Sequence, residues 1–123
     1  MLPRWKKPYV FFVSLSRYMS DSLKELSQHI RAFSDARGWY HDGRVTKAGL
    51  AISISLEAAE LLEHFQWISQ DKIEQHVEDH KQDLAHEAAD VAIYLLQFAD
   101  RVGFDLGKAI EDKMVKNAQK YPV

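Results

Sequence analysis

The segment LEAAELLEHFQW, residues 56–67, decides how the rest of this chain can be interpreted. It places Glu57, Glu60 and Glu63 at three-residue intervals in an otherwise largely apolar run. Leu, Ala and Glu are good helix formers, and this spacing puts the three glutamates along one side of a predicted helix. Glutamates in such a pattern usually form a solvated helix face, but they can also belong to a binding site. The segment therefore predicts a helix and leaves the role of its acidic side open.

Length and composition limit the class of protein. The chain has 123 residues, which suits one domain. Five glycines and three prolines favour long helices over many short strands. The net charge of −2 argues against polymeric nucleic acid as a partner, and no apolar run reaches the roughly 18–20 residues that a membrane span needs. The absence of cysteines excludes disulfides and thiolate metal ligands. We expect a cytoplasmic protein that binds neither membranes nor nucleic acid.

The first 18 residues differ in character from the rest. A short apolar run at residues 9–15 follows Arg4, Lys6 and Lys7, which imitates a secretory signal, but no small-residue cleavage site follows it. Met19 stands directly before a segment with the features of a helix start. Our hypothesis is that residues 1–18 are an extension and that residues 19–123 form the functional domain.

Helical periodicity and capping residues predict an all-α domain. Ser22 followed by Glu25 fits a capping box, and Gly38 is suited to end the first helix. Residues 48–55 alternate as a strand could, but the strongly helical segment after them extends the second helix through this part. The four predicted helices span about residues 20–38, 46–68, 73–102 and 105–121.

The second and third predicted helices are apolar on more than one face, which is typical of a bundle that oligomerisation completes. The third helix has an inward-facing stripe at helical spacing. The stripe comprises Val77, Leu84, Ala88, Val91, Leu95 and Phe98.

A second acidic pattern lies in the third helix. Glu87 and Asp90 repeat the spacing of Glu57 and Glu60, and each carboxylate is flanked by apolar residues. Two adjacent antiparallel helices would bring the four carboxylates together, where like charges disfavour joint ionisation unless a cation neutralises them. Oxygen-only ligands suit Mg²⁺, with Mn²⁺ as the alternative, and Mg²⁺ also binds substrate phosphates. The pattern therefore indicates a metal site for a nucleotide or another polyphosphate.

Two other interpretations of these carboxylates were weighed. Each pair alone is more typical of a solvated helix face, and the match between the two pairs is what favours a site. A di-iron bundle would need two Glu-x-x-His motifs. The nearest match is one Asp83-x-x-His86, so this alternative is disfavoured.

At these residues the chain resembles the MazG-like, all-α nucleoside triphosphate pyrophosphohydrolases, in particular their compact branch that includes dCTP pyrophosphatases. The family signature E-x-x-E, a spacer, then E-x-x-D is matched by EAAE at residues 57–60 and EAAD at residues 87–90. The flanking EAAELLEHFQW and EAADVAIYLL also agree, and the tail DKMVKNAQKYP is similar to the family's closing motif. The resemblance covers about residues 20–123.

The resemblance implies roles for individual residues. Glu57, Glu60, Glu87 and Asp90 match the Mg²⁺ ligands, and Glu63 can assist the metal or its water. Lys113 and Asn117 match residues that meet the phosphates or the metal site from the last helix. The full set of expected substrate-binding positions is Trp39, Lys47, Tyr94, Lys113, Asn117, Lys120 and Tyr121.

One segment departs from the family pattern. TKAGL, residues 46–50, has Ala48 and Gly49 where members often have a basic residue and Asn, and Lys47 lies one residue early. A sugar or phosphate contact from Lys47 is therefore an open question.

The resemblance implies Mg²⁺-dependent cleavage of a (deoxy)nucleoside triphosphate, with dCTP the first candidate, to monophosphate and pyrophosphate. In this interpretation Glu60 or Glu63 orients or deprotonates the attacking water and Lys113 offsets phosphate charge. It also implies a homodimer or homotetramer. The alternative is a catalytically silent helical module for oligomerisation or nucleotide sensing.

Overall fold

The computed structural model describes residues 22–41 and 43–123, and the proposed extension at residues 1–18 lies outside them. The first helix, α1, spans Leu23–Asp35, and the predicted N-cap Ser22 accepts a hydrogen bond from the Glu25 amide. The helix ends three residues before Gly38, which adopts a positive φ of 65° in the following turn. Capping chemistry thus located the start of this helix accurately.

Helix α2 spans Lys47–Glu63 and includes the alternating segment that could have been a strand. Its N-cap is Thr46, whose hydroxyl accepts a hydrogen bond from the Gly49 amide at 2.9 Å. The prediction that α2 continues to Ile68 is wrong. After Glu63 the amides of Phe65 and Ile68 bond to carbonyls three residues earlier, so the chain tightens into successive turns.

The predicted third helix is divided in two. A short 3₁₀ turn at Gln70–Lys72 leads into α3, Ile73–Asp79, and α4 then spans Lys81–Val102. The break is at His80, whose φ of −118° and ψ of 18° lie outside the helical region. The His80 Nδ1 lies 3.0 Å from the His76 carbonyl oxygen, and the two imidazole rings stack with centroids 4.2 Å apart. No glycine or proline stands at this break.

Helix α4 ends where the sequence predicts. Gly103 caps it with φ of 95°, a backbone conformation that favours glycine, and donates its amide to the Ala99 carbonyl at 2.8 Å. Helix α5, Leu106–Lys120, then begins at Asp105, whose carboxylate accepts the Lys108 amide at 2.9 Å. The all-α fold class is confirmed, with five helices in the described residues where four were expected.

The core lies mainly between α2 and α4, which form the most extensive helix pair. Its most buried apolar residues are Leu50, Leu96 and Ala99. Because His64 at the end of α2 lies beside Glu87 near the start of α4, the two helices run antiparallel. The expected inward-facing stripe was partly wrong. Ala88 is exposed and Leu95 is 38% exposed, whereas Leu96, the residue after Leu95, lies in the core.

An ion pair fixes α1 against the C-terminal half of α4. Arg31 donates to both carboxylate oxygens of Asp100, with the Nε–Oδ2 distance at 2.9 Å. The hydrogen bond to Asp100 and its charge raise the pKa of the Arg31 guanidinium above its ordinary value. Among the helices that the structure describes, none has the length and apolar character required to cross a bilayer.

Candidate metal and nucleotide site

Three of the four proposed metal ligands lie together. Carboxylate oxygens of Glu57 on α2 and of Glu87 and Asp90 on α4 all lie within 4.8 Å of one another. The antiparallel packing of the two helices produces this, because it sets the middle of α2 against the first half of α4. Glu57 and Glu87 are half-buried and Asp90 is exposed, so the cluster lies at the border between the helix interface and solvent.

Glu60, the fourth proposed ligand, lies beside this cluster on the exposed side. The charge of Glu57, followed by the charge of Glu87, raises the pKa of the Glu60 carboxyl above its ordinary value. A hydrogen bond with Glu87 and the charge of Glu63 act in the same direction. Repulsion among neighbouring carboxylates therefore exists in the folded chain, and it acts on Glu60.

The donor set fits a hard divalent cation. All of the converging groups offer carboxylate oxygens, which are the ligands that Mg²⁺ and Mn²⁺ take in proteins. A cation held among Glu57, Glu87 and Asp90 would also reduce the repulsion that raises the pKa of Glu60. Glu63, one turn after Glu60, is exposed at the edge of the cluster.

Histidines lie next to the cluster, and the packing of His76 on His80 is a feature that the sequence analysis missed. His64 Nε2 lies 3.7 Å from Glu87 Oε1, with both side chains about one-fifth exposed. His76 packs edge-on against Phe65 at 5.8 Å, stacks on His80, and buries an Nε2 without a hydrogen-bond partner among the described residues. The spacing of His76 and His80, four residues apart, is the sequence signal that could have revealed their shared face.

Two predicted substrate-binding residues flank the carboxylates along the same helices. Tyr94 lies one turn beyond Asp90 on α4 and is half-buried. Lys47 is the exposed first residue of α2, about three turns before Glu57. Tyr94 is thus close to the cluster along its helix, and Lys47 is at the far end of α2.

Trp39 lies in the turn after α1. It is 42% exposed and meets the Phe33 ring edge-on, with centroids 5.7 Å apart. Next to it, the Tyr40 ring lies under the Arg101 guanidinium at 4.5 Å. Trp39 is therefore neither buried in the core nor fully exposed to solvent. The turn that contains it packs against the C-terminal half of α4.

The remaining predicted residues lie on α5. Lys113, Lys120 and Tyr121 are exposed, and Asn117 is half-buried. The Lys120 ammonium lies 5.2 Å from the centre of the Tyr121 ring. Helix α5 packs against α1 and makes no comparable packing with α2 or α4 among the described residues. One chain therefore does not assemble the α5 residues with the carboxylates.

The concavities are also displaced from the carboxylates. A groove of about 370 Å³ lies between α1, the end of α4 and the start of α5, and a polar hollow of about 270 Å³ adjoins it. Their linings include both members of the Arg31–Asp100 pair and none of the four carboxylates. We place the site at the carboxylates because converging acidic oxygens can bind a divalent cation. The shape of an open groove does not by itself indicate a ligand.

The fold and the carboxylate cluster define an all-α protein with an acidic site between two antiparallel helices, and comparison with known proteins agrees. A profile of the MazG-like family matches residues 52–123, more than half of the chain. The chain belongs to the MazG-like family. Two curated relatives, dCTP pyrophosphatase 1 of Rattus norvegicus and of Mus musculus, are each 33% identical over 106 residues. That match covers 83% of this chain, which spans 60% of the length of either relative.

A solved structure gives an independent match. The crystal structure of a pyrophosphatase from Archaeoglobus fulgidus matches this fold with a TM-score of 0.76, and the two sequences are 42% identical. The match covers 85% of this chain and 96% of the other. It supports the helical fold found here.

Proposed function

We propose that this protein is a Mg²⁺-dependent nucleoside triphosphate pyrophosphohydrolase. It would use water to cleave a (deoxy)nucleoside triphosphate between the α and β phosphates, giving the monophosphate and pyrophosphate. The observation that carries the proposal is the convergence of Glu57, Glu87 and Asp90. The names of the two curated relatives make dCTP the first substrate to test, and removal of unwanted nucleotides from the pool the expected role.

The chain's own carboxylates would do three things in this reaction. Glu57, Glu87 and Asp90 would hold Mg²⁺, with Glu60 completing the set from the exposed side. Bound Mg²⁺ would polarise the phosphate and lower the pKa of the attacking water. Glu60 or Glu63 would orient that water or accept its proton.

The substrate would extend away from the carboxylates. Tyr94 lies one turn along α4 in a position to contact the nucleoside, and Trp39 offers an exposed aromatic face for the base. The basic residues would bind the phosphates: Lys47 from α2, and Lys113 and Lys120 with Asn117 and Tyr121 from α5.

Oligomerisation is part of the proposal. Large apolar side chains remain exposed in the single chain, including Leu62 at 64% and Trp67 at 86%. Exposed apolar surface of this kind marks interaction sites, which supports a homodimer or homotetramer. The nucleotide pool on which such an enzyme acts places it in the cytoplasm.

A substrate panel tests the activity. The purified protein is incubated with Mg²⁺ and each deoxynucleoside triphosphate, and products are separated by ion-exchange chromatography. We expect monophosphate and pyrophosphate, with Glu57→Gln reducing the rate by at least about tenfold, because loss of even an outer metal partner has this effect. Glu78→Gln, an equal charge change at an exposed position on α3, should leave the rate unchanged. Diphosphate and orthophosphate as products would refute the assigned bond.

A catalytically silent nucleotide-binding or oligomerisation module is the second candidate. The departure of residues 46–50 from the family pattern favours it. Within this segment Gly49 donates its amide to the hydroxyl of the N-cap Thr46. This segment thus has a structural role at the start of α2. If calorimetry detects binding of a deoxynucleoside triphosphate but the substrate panel yields no product, the silent module is the correct candidate.

A further inference from the structure

The turn that follows α1 is held on one side by α1 itself. The Arg37 guanidinium lies 3.3 Å from the centre of the Phe33 ring and donates a hydrogen bond to the Phe33 carbonyl at 2.9 Å. The Trp39 ring meets the same Phe33 ring edge-on, and the Trp39 amide donates to the Ser34 carbonyl at 3.2 Å. The last turn of α1 therefore fixes both the backbone and one ring edge of Trp39.

On its other side the turn is held by α4. The Arg101 guanidinium lies over the Tyr40 ring, 4.5 Å from the ring centre, and both residues are half-buried. The attraction between a cation and an aromatic face strengthens when water is removed from it. The residue before Arg101 is Asp100, which accepts the two hydrogen bonds from Arg31. Two consecutive residues of α4 thus hold α1 and the turn after it.

The contact between Arg101 and Tyr40 depends on the ring and the charge. The Tyr40 hydroxyl and the Arg101 Nε are buried, and neither has a hydrogen-bond partner among the described residues. Buried polar atoms usually have such partners. Removal of the hydroxyl in Tyr40→Phe therefore breaks no hydrogen bond in this part of the chain and leaves the ring under the guanidinium.

Arg101 lies on the face of α4 that also carries groups of the proposed site. Glu87, Tyr94 and Arg101 follow one another at seven-residue intervals and are all half-buried. Seven residues are close to two helical turns, so the three side chains share one face and successive members lie about 10 Å apart along the axis. The turn that Arg101 contacts is therefore aligned with the carboxylates and with Tyr94.

Trp39 combines a fixed position with an open surface. Its turn is held by α1 and by α4, yet the Trp39 side chain is 42% exposed. An aromatic ring with free surface can stack on a nucleobase. A platform that is fixed before the ligand arrives loses less conformational freedom on binding. The contacts of the turn therefore bear on how tightly a base would bind.

We propose that Arg101 is a positioning residue for the nucleobase: through Tyr40 it fixes the turn from which Trp39 stacks on the base. The inference rests on the proposed function and adds the residue of α4 that holds the base-binding turn. Arg101 does not touch the substrate itself. Loss of Arg101 therefore weakens binding of the nucleoside part, while the cleavage step at the carboxylates keeps its rate.

Steady-state kinetics of Arg101 variants test the proposal. With the deoxynucleoside triphosphate that the substrate panel identifies, Arg101→Met should raise KM about two- to fivefold, the effect of losing one cation–ring contact, and leave kcat unchanged. Arg101→Lys and Tyr40→Phe keep the cation and the ring, so both should retain the wild-type KM. Lys24→Met removes a positive charge at an exposed position on α1 and should change neither constant. A lower kcat with an unchanged KM for Arg101→Met would overturn the proposal.

A double-mutant cycle shows whether Arg101 acts through Trp39. Trp39→Leu removes the aromatic platform and should raise KM at least about fivefold, as loss of base stacking does in single-strand binders. Addition of Arg101→Met to Trp39→Leu should then raise KM no further, because the residue that Arg101 positions is already absent. If the two single effects multiply in the double variant, Arg101 acts independently of Trp39 and the proposal is wrong.

Calorimetry with two probes gives a readout that does not depend on turnover. In the presence of Mg²⁺, Arg101→Met should raise the Kd of α,β-methylene-dCTP about two- to fivefold. Its Kd for tripolyphosphate, which carries no base, should equal that of wild type. Equal losses for both probes would show a general change at the site and refute the positioning role.

The two probes also keep this inference separate from the proposed function. The methylene analogue is not cleaved between the α and β phosphates, so its binding reports on the base alone. A chain that shows the expected pattern of Kd values but yields no product from any triphosphate would refute the proposed cleavage and support the role of Arg101. An active wild type with unchanged Kd values in Arg101→Met would do the reverse.

Discussion

Individual carboxylates in the cluster have different environments. Glu57 and Glu87 are half-buried where α2 meets α4, so the fold fixes their positions. Glu60 and Glu63 lie on the exposed edge, where the charges of Glu57 and Glu87 raise the pKa of Glu60. The carboxylates therefore differ in burial, and helix packing fixes the positions of the half-buried members most firmly.

The raised pKa of Glu60 gives a prediction about stability. Because the pKa of Glu60 is higher in the folded chain than its ordinary value of 4.5, the folded state binds this proton more tightly, and the associated stability is lost as pH rises through the raised value. Glu60→Gln carries no charge at any pH, so the variant does not lose this stability as pH rises. In the absence of divalent cations, thermal unfolding should show a higher Tm for Glu60→Gln than for wild type at pH 7, with the difference shrinking as pH falls toward 4.5.

Two controls show whether the effect is specific to Glu60. Glu78→Gln removes one negative charge at an exposed position on α3, outside the cluster, and should not reproduce the pH-dependent gain in Tm. Addition of Mg²⁺ should stabilise wild type more than Glu60→Gln. An equal Tm for wild type and Glu60→Gln at every pH would contradict repulsion at this position.

The helices are positioned by their ends as much as by their apolar faces. Thr46 and Asp105 cap α2 and α5 with side-chain hydrogen bonds, and Gly103 reverses the chain between α4 and α5. Residues 103–105 connect α4 to α5 and therefore set the direction in which α5 leaves α4. The Arg31–Asp100 pair then holds α1 near this turn.

Substitution of Gly103 tests the role of backbone conformation at the end of α4. A Cβ at this position would meet no atom within 4 Å, so the effect of Gly103→Ala is conformational and arises from its φ of 95°. We expect a loss of about 1–2 kcal/mol in the free energy of unfolding, measured by urea denaturation. Gly103→Asn should lose less, because Asn tolerates the left-handed region better than Ala. Equal stability of Gly103→Ala and wild type would contradict a conformational role for this glycine.

The part of the chain that the structure describes, residues 22–41 and 43–123, has a small core. Few of its large apolar side chains are fully buried, while Ile52, Leu56, Leu62 and Trp67 are all at least 60% exposed. A family fold with this distribution of apolar surface is expected to gain stability from association.

Association can be tested by one substitution. Met114→Asp places a charge in the exposed apolar face of α5 and should shift the protein to a smaller species in sedimentation-velocity ultracentrifugation. Gln119→Asp adds the same residue on the opposite side of the helix and should leave the oligomer intact. Identical sedimentation of both variants and wild type would show that this face of α5 is outside the interface.

Much of this protein was determined by the sequence alone. Helix starts at Ser22, Thr46 and Asp105 followed from side chains that cap neighbouring amides, and spacing along α2 and α4 followed from the helical period. These are local properties, because a helix fixes the distance between residues three or four apart. The pairing of the two acidic motifs was also predictable, since both lie beside apolar positions on adjacent helices.

Only the tertiary structure decided which distant groups meet. The break at His80 lies where the sequence has no glycine or proline to signal it, and the imidazoles of His76 and His80 stack there. Three carboxylates converge while Glu60 stays at the edge, because the register between α2 and α4 depends on how their apolar faces pack. Helix α5 stands away from the carboxylates for the same reason. Distances within a helix follow from its period, whereas distances between helices follow from packing over the whole molecule.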